Sequence, residues 1–208
     1  MIAIAGSKGR CGTPTVTLGI AEALGRTDTP VVAIDADRQL PNLHVLTDCD
    51  RSPTAADRVD GADVTTVAQR HPRDAHVGVV PAPRPGEAFD FGALPAATPD
   101  GIQVLVDCPS GAGPDVVDPL ESARGMIAVT TPTERGLEAA ETTLEMARRL
   151  RVPVYGVVCN RCTDPPGRVT RWDGVAVLGC VPERTSTLES EDVAAAFDDA
   201  SSGSSDGS

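Results

Sequence analysis

The chain has 208 residues, enough for one domain of ordinary size with a sizeable core and too few for two large ones. Thirty acidic residues against 18 basic ones give a net charge of -12, with no cluster of positive charge to neutralise phosphates, which argues against a nucleic-acid binder or a direct membrane binder. Hydrophobic residues make up 40% of the chain, no apolar run approaches the ~20 residues that span a bilayer, and no basic stretch precedes the short apolar start, so the expectation is a soluble cytoplasmic protein. Seventeen of the basic residues are Arg and one is Lys8, while Asp outnumbers Glu by 20 to 10. Such a surface suits a high-salt interior, where carboxylates hold hydration and salt screens their repulsion.

Apolar runs of strand length recur at 2–5 (IAIA), 31–34 (VVAI), 77–80 (VGVV), 102–106 (IQVLV), 126–130 (MIAVT), 154–158 (VYGVV) and 175–181 (VAVLGCV). Most are apolar throughout rather than alternating, as strands covered by helices on both faces should be. A helix is predicted over 14–24, with Pro14 tolerated in its first turn and Gly25 just past its end. Short helices and loops are expected between 39 and 99, around the 77–80 strand. Residues 134–150 read as the clearest helix: Leu137, Ala140, Leu144 and Ala147 share one face, and Glu145 and Arg149 form an i, i+4 pair. A short acidic helix over 188–200 and the tail SSGSSDGS close the chain. The fold class is therefore α/β, a doubly wound and mostly parallel sheet, with one domain over 1–190 and a short acidic helix and Ser/Gly-rich tail over 191–208.

Six cysteines in 208 residues are too sparse for a disulfide scaffold and read as reduced, mostly buried thiols. Cys159-Asn160-Arg161-Cys162 has C-x-x-C spacing, but a single such pair favours thiols over a metal site. His44, His71 and His76 show no ligand spacing and suit loop positions.

The first strand ends in Gly6-Ser7-Lys8-Gly9-Arg10-Cys11-Gly12-Thr13-Pro14-Thr15 and then enters a helix, the setting in which backbone N–H groups and a helix dipole hold phosphate. The pattern G-x-x-x-x-G-K-[ST] fails here, yet Lys8 to Thr15 lies without gaps over K-G-G-x-G-K-[ST]-[ST]. On these residues the chain resembles the MinD/ParA family of deviant-Walker P-loop ATPases, whose first lysine reaches a dimer partner's phosphates. Lys8, Gly9, Gly12 and Thr15 match. Arg10 replaces a glycine, Thr13 replaces the phosphate-binding lysine, and Pro14 replaces the magnesium-ligating hydroxyl.

Further blocks are similar to the family. VVAIDADRQLPNL at 31–43 resembles its second strand and switch I, which implies that Asp37 positions the attacking water and Asp35 holds the metal's water shell. VLVDCPSG at 104–111 resembles Walker B and switch II, implying that Asp107 holds Mg²⁺ through water and that Gly111 senses the γ-phosphate. AVTTP at 128–132 resembles the next strand and turn, VVCNRC at 157–162 the strand ending in an adenine-contacting Asn, here Asn160, and LGCVPE at 178–183 the last strand, whose turn at Pro182 borders the base. The resemblance thus implies a P-loop NTPase-like fold, with ATP and Mg²⁺ held by Lys8 through Thr15, Asn160 and Pro182, and Asp37 and Lys8 in catalytic roles. It also implies a homodimer and protein partners. The changes at 13 and 14 remove a cation and a metal ligand from where charge develops in phosphoryl transfer, so weak or absent hydrolysis is expected. Two alternatives stand beside this: an active dimeric ATPase compensated by Lys8 and Arg10, and a metal or cofactor maturation factor using the paired cysteines.

Overall fold

The computed structural model describes residues 1–6, 11–59, 61–111 and 114–183. Ser7, Lys8, Gly9 and Arg10 lie outside the described residues, as do the helix expected over 188–200 and the tail. Eight strands form one sheet: β1 (Ile2–Gly6), β2 (Val31–Asp35), β3 (Gln69–Arg70), β4 (Val77–Val80), β5 (Gln103–Asp107), β6 (Met126–Thr130), β7 (Val154–Asn160) and β8 (Val177–Val181). Their order is β3-β4-β2-β5-β1-β6-β7-β8. Every neighbouring pair is parallel except β3 with β4, which closes one edge as a short antiparallel ribbon.

The strands alternate their side chains between two cores, which is why they read as uninterrupted apolar runs. Ile2 and Ile4 of β1, Val31 and Ala33 of β2, and Leu105 of β5 face one core, filled from helix α1 (Thr13–Arg26) by Val16, Leu18 and Ile20. Ala3 and Ala5, Val32 and Ile34, and Val104 and Val106 face the opposite core, filled by Val116 and Leu120 of helix α3 (Pro114–Glu121) and by Leu137 and Leu144 of helix α4 (Glu134–Leu150). A short helix α2 (Leu43–Leu46) follows β2. The fold is an α/β doubly wound sheet of the P-loop NTPase type, with helices on both faces, as the apolar runs predict. Leu105 is fully buried on the central strand β5, so Leu105→Ala should lower the unfolding free energy by about 2–5 kcal/mol, read as a drop in urea midpoint at unchanged slope.

Helix α4 matches the predicted bounds, capped by the Thr133 hydroxyl accepting from the Gly136 N–H, and carries the Glu145–Arg149 pair. Helix α1 runs two residues past its predicted end. Gly25 lies inside it and is buried, because a Cβ there would stand 2.3 Å from an Asp74 carboxylate oxygen. Helix α3 was not predicted: Pro119 within it and its short length conceal a segment that folds by burying Val116 and Leu120. The 39–99 stretch holds α2, three 3-10 turns, β3 and β4, in agreement with its reading as short elements. Not all the histidines take loop positions. His44 sits in α2, whereas His71 and His76 lie in loops; His71 is fully buried, its Nε2 3.2 Å from Glu22 Oε1, an oxygen that accepts from Arg73. Among the described residues no helix is long and apolar enough to cross a membrane.

Candidate functional site

The carboxyl ends of β1, β2 and β5 open at one rim, where the chain crosses from one face of the sheet to the other and α/β folds place their ligands. A cleft of about 490 Å³ lies there, within the size range of small-molecule sites. Cys11 to Thr15, Asp37, Asn42, Asp107 and Arg161 line it.

Helix α1 aims its N-terminus at this cleft. Gly12 is its N-cap, and its carbonyl accepts the first intrahelical hydrogen bond from the Val16 N–H at 3.0 Å. The N–H groups of the first turn have no intrahelical acceptor, and that turn carries no acidic side chain, so the positive pole is available to an anion. Pro14 withdraws one donor from the set. Gly12 has φ +82°, and a Cβ on it would stand 2.3 Å from Asn160 Nδ2. Gly12→Ala should therefore displace the phosphate wall and weaken nucleotide binding at least about tenfold, measured by calorimetry on protein whose circular dichroism is unchanged.

Thr13 is almost wholly buried. Its hydroxyl turns toward the end of β1, 3.0 Å from Cys11 Sγ and close enough to Gly6 that a Cβ there would lie 2.1 Å from it. Thr15 lines the open side.

Asp35 ends β2 with no exposure. Its Oδ1 accepts from the Asp37 N–H (2.9 Å), and its Oδ2 accepts from the N–H groups of Asn42 (2.8 Å) and Leu43 (3.1 Å). Three of its roughly four acceptor positions are thus spent folding the 37–43 loop over the cleft. Burial pushes the Asp35 carboxyl up to about 6, against the pull of those three donors, and the Asp37 charge adds to the rise. Asp37 lines the cleft and closes its own turn, its Oδ1 accepting from the N–H groups of Gln39 and Leu40. Asp107, at the end of β5 and in register with Asp35, is buried, and burial together with the Asp35 charge holds its carboxyl well above the ordinary range.

One residue that sequence reasoning missed bonds to Asp107. Thr17, one turn into α1, donates from its hydroxyl to Asp107 Oδ1 at 3.2 Å. A threonine four positions after Thr13, on the buried face of a helix, was the available signal, but the same spacing equally suits a hydroxyl bonded to the Thr13 carbonyl, which it also contacts at 2.9 Å.

Asn160 stands under the loop rather than in the cleft lining. Its Nδ2 donates to the Cys11 carbonyl at 2.7 Å, and its Oδ1 accepts from the Arg161 N–H at 3.0 Å. Arg161, at φ 64°, is thereby turned into the cleft and is a second residue that sequence reasoning missed. Gly111 has φ +121°, which favours glycine. Pro182 is half-buried just beyond β8, outside the cleft lining.

These groups suit an anionic ligand with a divalent cation: a helix N-terminus on one side, and Asp37 and Asp107 on the other. Among the described residues no three His, Cys, Asp or Glu side chains are placed to hold a metal ion directly, so the carboxylates fit a cation held by the ligand's own oxygens and by water, as Mg²⁺ prefers.

An uncharacterized ATP-binding protein of Methanocaldococcus jannaschii is 29% identical over 196 residues, covering 88% of this chain and 74% of that protein. The cell division ATPase MinD of Pyrococcus furiosus superposes with TM-score 0.83 at 25% identity, over 99% of this chain and 98% of that one. The septum site-determining protein MinD of Pyrococcus horikoshii, solved with Mg-ADP, has the same fold, with TM-score 0.83 at 22% identity over 96% of this chain and 93% of that one. Residues 2–194 match the family described as the CobQ/CobB/MinD/ParA nucleotide binding domain, and the chain belongs to that family.

Proposed function

We propose that the chain binds ATP with Mg²⁺ in the β1–β2–β5 cleft and acts as a nucleotide-dependent regulatory or positioning protein of MinD/ParA type, with little or no hydrolysis. The observation that carries this reading is the pairing of a phosphate-ready helix N-terminus with a Thr13 hydroxyl turned down toward Gly6 and Cys11. Aligned with the family loop, position 13 thus supplies no cation to the phosphates and position 14 supplies neither hydroxyl nor N–H. Loss of a single preorganised donor at developing charge costs ~3–4 kcal/mol in other enzymes, so two such losses favour binding over turnover.

In this reading the N–H groups opening α1 hold the phosphates, and Arg161, which lines the same cleft, supplies a cation to them. Asp37, the residue to position a water, is fixed by its own turn. Mg²⁺ would offset phosphate charge, with Asp107, oriented by Thr17, and Asp35 reaching it through water. Lys8 is proposed to reach a partner's phosphates in a nucleotide-bridged homodimer, and protein partners are proposed to read the dimer. The acidic composition argues against a nucleic-acid partner or direct membrane attachment.

Calorimetric titration with ATP and ADP, with and without Mg²⁺ in high KCl, tests the reading while light scattering follows mass. Binding of Mg-ATP with a doubled mass, the latter lost in Lys8→Ala, is expected. No heat and no change of mass would defeat it. Phosphate release that disappears in Asp37→Ala would instead identify a working ATPase.

A further inference from the structure

Three cysteines that the nucleotide cleft does not use meet at the β7–β8 edge. Cys159 and Cys180 are register partners on these parallel strands, which places their Cα atoms about 4.8 Å apart with side chains on one face. Cys162, just beyond β7, is folded back by its N–H donating to the Val181 carbonyl at 3.1 Å, and its thiol donates to the Cys159 carbonyl at 3.5 Å. All three pack against the core on the α4 face. Cys159 is fully buried there, whereas Cys162 and Cys180 are part-exposed. Hydrogen bonding from the Cys159 thiol, and secondarily from Cys180, draws Cys162 down to about 7. Burial holds Cys180 up at about 11, and the hydrogen bond to Cys162 raises Cys159 still further. The cluster therefore holds two part-exposed sulfurs side by side, of which Cys162 is the more readily ionised.

We propose that Cys162 is a thiol-modification site that reacts with low-molecular-weight disulfides and passes the bond to Cys180. The Cys162 thiolate attacks one sulfur of the incoming disulfide. A mixed disulfide forms, the original S–S bond breaks, and the leaving thiolate takes up a proton. Cys180 then loses its proton and attacks Cys162 Sγ, forming the Cys162–Cys180 bond and expelling the second small thiol. Two cysteines are oxidised while one small disulfide is reduced to two thiols. Cys159, out of reach of solvent, serves as the hydrogen-bond donor to the Cys162 thiolate once the proton has left.

The site also bears on the cleft, and this part rests on the nucleotide reading above. Cys162 is two residues from Asn160, whose amide holds the Cys11 carbonyl, and one from Arg161, which lines the cleft. The backbone of residue 162 already bonds to β8, so a Cys162–Cys180 bond adds a side-chain link that draws on the turn carrying both.

Trypsin separates the three thiols, since cleavage after Arg151, Arg161, Arg168, Arg171 and Arg184 leaves Cys159, Cys162 and Cys180 on peptides 152–161, 162–168 and 172–184. After treatment of the full chain with oxidised glutathione and blocking of remaining thiols, mass spectrometry should find 162–168 joined to 172–184 before any adduct at Cys49. In Cys180→Ser the glutathione adduct should accumulate on 162–168. Independently of any variant, iodoacetamide at pH 7 should alkylate Cys162 of the native protein about fivefold faster than a free cysteine peptide. First reaction at Cys49, linkage to Cys159, or Cys162 alkylation no faster than the peptide would overturn the proposal. ATP affinity should fall about tenfold in the oxidised protein and recover on reduction, and unchanged affinity would overturn the coupling. If the reduced protein binds no ATP, the nucleotide reading fails with the coupling, while the peptide map still decides the thiol pair.

Discussion

Thr13→Lys combined with Pro14→Thr is expected to raise phosphate release from Mg-ATP by roughly 10²–10³, the factor that one preorganised donor at developing charge contributes in other enzymes. Both positions line the cleft at the first turn of α1, and a lysine stem is long enough to leave the position where the Thr13 hydroxyl now lies. Threonine at 14 returns an N–H to the helix N-terminus and adds a hydroxyl to the same wall. The single variants should recover much less, because the cation and the metal-ligating hydroxyl act together on one charge. Phosphate assays of the native chain, both singles and the double variant, each with an added Asp37→Ala control, measure this. Equal turnover in the native chain and the double variant would show that the residues at 13 and 14 do not limit hydrolysis.

The second large effect concerns Asp107. Asp35 and Asp107 are paired in register on β2 and β5, both buried, with Asp37 nearby. A carboxyl whose folded value is raised stabilises the fold fully below its unfolded value and loses that contribution as pH rises through the folded value. For Asp35 the window runs from the ordinary 3.8 to about 6, and for Asp107 it extends higher. The metal-free protein should therefore lose stability as pH rises across this interval, and Mg-ATP should restore it, because a cation offsets the charge that ionisation creates. Asp107→Asn keeps an acceptor for the Thr17 hydroxyl while removing the charge. At pH 7.5 its metal-free melting temperature should rise by about 3 °C, the shift that ~1 kcal/mol produces in a domain of this size. Its gain in melting temperature from Mg²⁺ over ATP alone should disappear. Thermal melts at pH 5 and 7.5, with and without Mg-ATP, separate the two effects. A lowered metal-free melting temperature would show that the Asp107 charge stabilises the fold.

Strand positions were legible in the sequence because parallel strands covered on both faces must be apolar through most of their length, as IAIA of β1, VVAI of β2, VLV of β5 and MIAV of β6 are. Helix α4 was legible from its periodicity and its Glu145–Arg149 pair. Helix α3 was not, since eight residues containing Pro119 carry too little pattern, and its stability comes from burying Val116 and Leu120 under the sheet. Asp35, Asp37 and Asp107 could be picked out because each closes or follows an apolar run, but their division of labour could not. Asp35 spends three acceptor positions on loop N–H groups, up to eight residues away, and Asp107 takes a hydroxyl from α1 ninety positions away.

By itself the sequence determined the sheet, the loop that opens α1, and the oddity of a single lysine at Lys8 with Thr13 and Pro14 after it. Only the tertiary structure decided that Thr13 turns inward, that Asn160 holds the Cys11 carbonyl while Arg161 lines the cleft, and that three cysteines spread over 22 positions share one edge of the sheet. The division has a physical cause. Backbone conformation and burial are imposed by local periodicity, whereas the direction of a polar side chain is chosen by whichever distant donor or acceptor the packed fold leaves within about 3 Å.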